Sequence, residues 1–175
     1  MKHQAIADAM QRVRAVLQRR PETGWHEDGP AISRWAGGTR VVASHANGTQ
    51  VPSDMPSELG GTGDQVTPGW LFRAGLASCA TTSIVMSAAA EGIELTSLEV
   101  KATSWSDARG LVGVLDAAGH PVPAGPGDVQ LAVRIHAEGV PPERLRSLVQ
   151  AAVARSPIPN AVQAATPLAL RIDTL

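Results

Sequence analysis

The sequence predicts an α+β domain with antiparallel strand pairing, and three stretches carry that expectation. Thr67 to Gly92 reads as one long apolar helix, and Leu95 to Ser106 and Val129 to Ala137 alternate apolar and polar residues as half-buried strands. Short β-like runs with an Asn47-Gly48 turn precede them. Strands, a long helix, strands, a helix and a last strand follow one another without the regular alternation of a parallel sheet. A chain of 175 residues suffices for one domain with a respectable core.

Taken in order, residues 4–20 place Ile6, Met10, Val13 and Leu17 at helical spacing. Arg12, Arg14, Arg19 and Arg20 lie toward the end, where the helix dipole favours cations, and Pro21 closes it. Its narrow apolar stripe suits packing or a dimer contact better than a lipid surface. Ala31 to Ala36, Arg40 to His45 and Thr49 to Ser53, separated by Gly37-Gly38 and Asn47-Gly48, predict a meander at a sheet edge. Met55 to Val66, with Pro56, Gly60, Gly61 and Gly63, is a loop. Thr67-Pro68 then supplies a side-chain cap and a first-turn proline. From Trp70 to Ala90 the only charge is Arg73, so the helix is expected to be buried nearly all round, and Gly92 ends it.

Beyond it, Leu98, Val100 and Ala102 share one strand face and Glu99, Lys101 and Thr103 the other. Leu111 to Leu115 is a candidate short strand, and Asp116 to Asp128 a loop. Pro141-Pro142-Glu143 opens a helix whose stripe is Leu145, Leu148, Val149, Ala152 and Val153. Ser156-Pro157 caps and starts a short helix, and Pro167 to Asp173 alternates as a last strand.

Composition narrows the function classes. A net charge of −1 argues against nucleic-acid or anionic-membrane partners, and four Trp, one Phe and no Tyr leave little for base stacking. A single cysteine cannot form an internal disulfide, which fits a reducing compartment. No N-terminal signal segment and no strictly apolar run of about 18 residues is present, so a cytoplasmic location is expected. His3, His26, His45, His120 and His136 lack ligand spacing on any one element, and Gly60-Gly61-Thr62-Gly63 lacks the lysine of a phosphate loop; neither metal nor cofactor is expected. An apolar helix needs cover on every side, whereas one small sheet covers a single side. A homodimer would supply the remainder.

Cys79 sits mid-helix, and Phe72, Gly75, Leu76, Thr82, Ser83 and Met86 fall within about 60° of it around the axis. By itself a lone cysteine is more often a small core hydrophobe than a reagent. The run Glu58-Leu59-Gly60-Gly61, through Thr67-Pro68 and Leu71-Phe72 to Ala77-Ser78-Cys79, resembles the signature of the osmotically induced and organic hydroperoxide resistance (OsmC/Ohr) family. The resemblance implies an intertwined homodimer in which antiparallel sheets wrap long central helices, with active sites at the subunit interface. It makes residues 29–175 a single OsmC-like domain and residues 1–28 an N-terminal helical extension. It also makes Cys79 the peroxidatic thiol of an oxidative-stress peroxidase, activated by an arginine from the N-terminal strands: Arg40, with Arg34 as second choice. Arg73 lies roughly 120° from Cys79 on the same helix and is a poor direct partner.

Attack on an O–O bond requires a thiolate. Bringing an ordinary thiol of pKa about 8.5 to about 6 requires roughly 3.4 kcal/mol. One guanidinium about 4 Å away, at an effective dielectric near 20, supplies on the order of 4 kcal/mol. Phe72, Leu76 and Met86 read equally as a pocket that favours a bulky hydroperoxide over hydrogen peroxide or as plain core.

Two positions depart from the family pattern. Gly69 stands where the family carries the Glu that holds its arginine, with Glu58 a conceivable replacement, and Ser156 stands where the family carries its resolving cysteine. A serine cannot condense with a sulfenic acid, so turnover would need an external thiol reductant. The sequence thus leaves two functions open: a single-cysteine thiol peroxidase using Cys79 and Arg40, or a catalytically impaired dimer that binds a small hydrophobic ligand.

Overall fold

The computed structural model describes residues 2–174. Its chain forms two compact units, Gln11–Ala74 and Met1–Met10 with Gly75–Leu175. Helix α1, Lys2–Arg19, spans the first boundary and ends as expected before a single 3₁₀ turn at Pro21–Gly24.

In the unit Gln11–Ala74, strands β1 (Ile32–Trp35), β2 (Val41–Ser44) and β3 (Gln50–Ser53) form the predicted antiparallel meander, with Arg34 opposite Val42 and Ala43 opposite Val51. Both reversals are set by local chemistry. Gly37 and Gly38 take φ of +103° and +57°, and the Trp35 Nε1–H donates to the Gly38 carbonyl at 2.9 Å. At the second turn the Asn47 Oδ1 accepts the Thr49 N–H at 2.9 Å while Gly48 supplies φ of +90°.

The loop after β3 is organised by Asp54, a residue only 2% exposed. Its carboxylate accepts from Thr39 Oγ1 (2.5 Å), Thr62 Oγ1 (2.8 Å), the Thr62 N–H (3.2 Å) and the Met55 N–H (2.8 Å). The Thr39 bond, followed by the Thr62 bond, holds this carboxyl well below the usual carboxylate range against the opposing effect of desolvation. One buried anion therefore ties the β1–β2 turn to Met55 and Thr62 of the loop. Within that loop, the two consecutive glycines answer different demands. Gly60 ends a 3₁₀ turn, Ser57–Leu59, at φ of +83°, whereas a Cβ on Gly61 would stand 1.7 Å from the Met55 carbonyl oxygen.

Helix α2, Pro68–Ala90, starts where Thr67 Oγ1 accepts the Trp70 N–H at 3.1 Å. It ends in a Schellman arrangement: the Ile93 N–H reaches the Ala88 carbonyl, the Gly92 N–H reaches Ala89, and Gly92 has φ of +68°. By length and composition α2 could cross a membrane. Two of its hydroxyls are satisfied within the helix, Thr81 on the Ala77 carbonyl and Thr82 on the Ser78 carbonyl. The expected all-round burial does not hold in one chain. Burial falls on Leu76, Ala80, Ile84, Ser87, Ala88 and Ala89, while Trp70, Phe72 and Met86 are exposed. A single copy of the chain leaves part of the helix surface open to solvent.

In the unit Met1–Met10 with Gly75–Leu175, β4 (Ser97–Trp105) pairs antiparallel with β5 (Asp128–His136), with Val100 opposite Val133. Both strands alternate half-buried and exposed residues, as their sequences predict. Helix α4, Pro142–Val153, lays Leu145, Leu148 and Ala152 into a core with Ile84, Ala88, Ile93 and Ala137. Two expectations fail here. Leu111 to Leu115 is not a strand, because Asp107 caps a one-turn helix α3, Ala108–Leu111, and accepts the Arg109 N–H; of the expected strand only a bridge between Leu115 and Pro121 remains. Pro167 to Asp173 follows the short helix α5, Pro157–Gln163, as irregular chain, with Leu168 95% exposed. A strand is made by the ladder it joins, and among the described residues none is joined.

Gly61→Ala should cost at least about 2 kcal/mol in chemical denaturation, because backbone must move to admit the methyl, whereas Gly125→Ala, with open space at its Cβ, should stay within about 0.5 kcal/mol of the parent. Because the folded Asp54 carboxyl lies below its unfolded value of about 3.9, its stabilising effect is complete above that value and is lost as pH falls toward the folded one. Acid denaturation monitored below about pH 4 should accordingly be shallower in Asp54→Asn than in the parent, and identical slopes would contradict the assignment.

Candidate active site

Two polar constellations are built from the residues the sequence singles out. The first lies in the unit that contains α4 and α5. Cys79, on α2, is half-buried and reduced. Its Sγ accepts the Ser156 hydroxyl at 3.2 Å and the Ile158 N–H at 3.5 Å. Ser156 arrives from a tight connection in which its own N–H bonds the Val153 carbonyl and its carbonyl accepts the Asn160 N–H. The Asn160 side chain braces the same connection on the Ala154 carbonyl at 2.6 Å. Ser156 is fully buried, and its side chain makes no cap bond to its own helix. The expectation that this serine caps α5 is thus corrected: position and backbone fit a cap, but the hydroxyl is spent on the sulfur.

The second constellation lies in the unit Gln11–Ala74. Arg40 enters β2 from the Gly37-Gly38 turn, its N–H bonded to the Gly37 carbonyl at 3.0 Å. Its guanidinium Nη2 donates to Thr62 Oγ1 at 2.7 Å and pairs with Asp54 at 3.5 Å and with Asp64 at closer range. Thr62 also contacts Asp64, and this bond, ahead of that from Arg40, lowers the Asp64 carboxyl. A single hydroxyl proton cannot serve both carboxylates, so Thr62 accepts from Arg40 and donates to one of them at a time. One cation is shared by two acids.

The remaining candidates fall outside both constellations. Leu76 is buried at 2% exposure and belongs to the core, whereas Phe72 and Met86 lie at the protein surface. Arg34 is exposed on β1. Glu58 sits in the 3₁₀ turn and accepts only the adjacent Ser57 hydroxyl among its described bonds. At Gly69 a Cβ would meet Arg73 Nη1 at 3.7 Å and Thr67 Oγ1 at 3.9 Å, ordinary contacts that leave room for a side chain. Sequence reasoning missed Asp54, Asp64, Thr39 and Thr62. The available signal was electrostatic: an arginine flanking a glycine turn needs a counter-ion, and two aspartates stand in the glycine-rich loop.

Comparison with curated proteins gives no sequence match. Solved structures share the fold. An OsmC-like protein from Mycoplasma pneumoniae superposes with TM-score 0.65 at 17% identity, covering 79% of this chain and 89% of that one. An organic hydroperoxide resistance protein OsmC from Legionella pneumophila gives 0.53 at 25%, covering 79% and 92%. The organic hydroperoxide resistance protein OhrB of Bacillus subtilis gives 0.51 at 20%, covering 78% and 91%. The family model described as OsmC-like protein matches residues 61–171, which include the helix bearing Cys79, the β4–β5 pair and the serine that contacts the sulfur. With that match over more than half of its length, the chain belongs to the OsmC-like protein family.

Proposed function

We propose that the protein reduces organic hydroperoxides through Cys79, as a thiol-dependent peroxidase without a resolving cysteine. The observation that carries this reading is the sulfur of Cys79, half-buried and accepting from a hydroxyl and a backbone amide. Those two donors fix the direction of the sulfur, and the reaction class requires a sulfur that is held and reachable as a nucleophile. Family membership supports the same reaction class, since relatives at 25% identity are named for organic hydroperoxide resistance.

In the proposed step the Cys79 thiolate attacks a peroxide oxygen of ROOH. An S–O bond forms as the O–O bond breaks, Cys79 becomes a sulfenic acid, and the departing RO⁻ takes a proton from solvent to leave as ROH. A first external thiol condenses with the sulfenic acid, releasing water and leaving a mixed disulfide; a second restores Cys79. Arg40 is the cation proposed to assist. Its guanidinium already shares Asp54 and Asp64, so the charge it offers is tempered by two carboxylates. The exposed Trp70, Phe72 and Met86 of α2 support a homodimer that would cover them, with residues 1–28 as an extension to a domain at 29–175.

A second reading, a hydrophobic-ligand dimer without turnover, is favoured by Gly69 and Ser156 at the positions where the resemblance implies an acid and a second thiol. Stopped-flow oxidation of Cys79 by cumene hydroperoxide, with the sulfenic acid trapped by dimedone, separates the two. The peroxidase reading expects a rate at least about tenfold above that of free cysteine, lost in Cys79→Ser and lowered about tenfold or more by Arg40→Ala but not by Arg34→Ala. A rate equal to that of free cysteine would leave only the binding protein.

A further inference from the structure

Ser156 occupies the position at which a serine ordinarily accepts the N–H of the second helical residue. Here that residue is Ile158, because Pro157 opens α5, and the Ile158 N–H is directed to Cys79 Sγ instead. The Ser156 hydroxyl makes no cap bond, has no solvent to turn to, and donates to the same sulfur. A buried hydroxyl keeps its acceptor because losing it would leave the group unsatisfied. The sulfur has therefore taken over the capping acceptor role, and both displaced donors converge on it.

We propose that Ser156 is a positioning residue for Cys79, whose hydroxyl orients the sulfur and donates to it as it reacts. The inference rests on the thiol chemistry proposed above and deepens it. A thiol can offer its own S–H to Ser156 Oγ, but a thiolate has only acceptor capacity, so on ionisation the hydroxyl is locked as donor and its bond becomes charge-assisted. The Ile158 amide is a donor in both states. Of the two contacts, the hydroxyl is thus the one that responds to the charge on sulfur. The residue that removes the possibility of an internal disulfide supplies support for the nucleophile in its place.

The test is the pH dependence of Cys79 alkylation by iodoacetamide in the full-length protein. Ser156→Ala should slow alkylation about tenfold at pH 7 and move the rate profile to higher pH, and Ser156→Thr, which keeps the hydroxyl, should restore most of the parent rate. A serine needed only for packing would lower stability without moving the profile, and superimposable parent and Ser156→Ala profiles overturn the proposal. Should Ser156→Ala fail to fold, Ser156→Cys serves. Side chains in contact should close an intramolecular disulfide with Cys79 on treatment with diamide, a general thiol oxidant, read by intact mass, and two persistent thiols overturn the proposal. Hydroperoxide oxidation of the parent no faster than free cysteine would remove the peroxidase reading alone, because the alkylation profiles decide the role of Ser156 independently.

Discussion

A sulfur atom shared by two donors is the constraint on which the site depends. The Ser156 hydroxyl and the Ile158 amide are committed to Cys79, so the start of α5 is fixed by an atom on α2 far away in sequence. The backbone bonds around Ser156 and the Asn160 brace on Ala154 hold the connection from α4 in the conformation that delivers those donors. Neutral donors on sulfur are individually weak, yet together they give it direction in a half-buried setting. Function would thus draw on the same bonds that order the segment.

The charged constellation obeys a different rule. Arg40 lies between Asp54 and Asp64, so the local formal charge is negative although the residue that sequence reasoning selects is a cation. Asp54 is the structural member. It is enclosed, and its partners on Thr39, Met55, Thr62 and Arg40 are donors that keep it ionised. Asp64 is more exposed and shares its neighbours, which makes it the softer partner of the guanidinium. A loop with this many glycines would be costly to order without such an anchor.

The parts of the fold legible in sequence are those decided within a few residues. Thr67-Pro68 and Gly92 fix the ends of α2 because capping and left-handed backbone are local chemistry. Asn47-Gly48 fixes a hairpin for the same reason, and the alternation of Leu98, Val100, Val133 and Ile135 reports a sheet with one packed face. Leu111 to Leu115 misleads because Asp107, just upstream, nucleates a helical turn that hydrophobic alternation cannot register. The pairing of Arg40 is invisible because three loop residues meet it through folding and no periodicity. The family motif singles out Cys79 and the Ser156 position. The resemblance brings the two positions together, but neither motif nor spacing shows that the serine gives up its own cap to donate to the sulfur.

The stretch from Pro167 to Asp173 keeps Leu168, Leu170 and Ile172 bare at 95%, 83% and 74% exposure, on every second residue. Such a ribbon is adhesive: it has the rhythm of a sheet component and open backbone for any edge that comes near. The flanking Pro167 and the charged Arg171 and Asp173 act as gatekeepers, since proline lacks a donor and charges repel stacking in register. Crowded synthesis would therefore expose this chain to indiscriminate clumping, with those three residues slowing it.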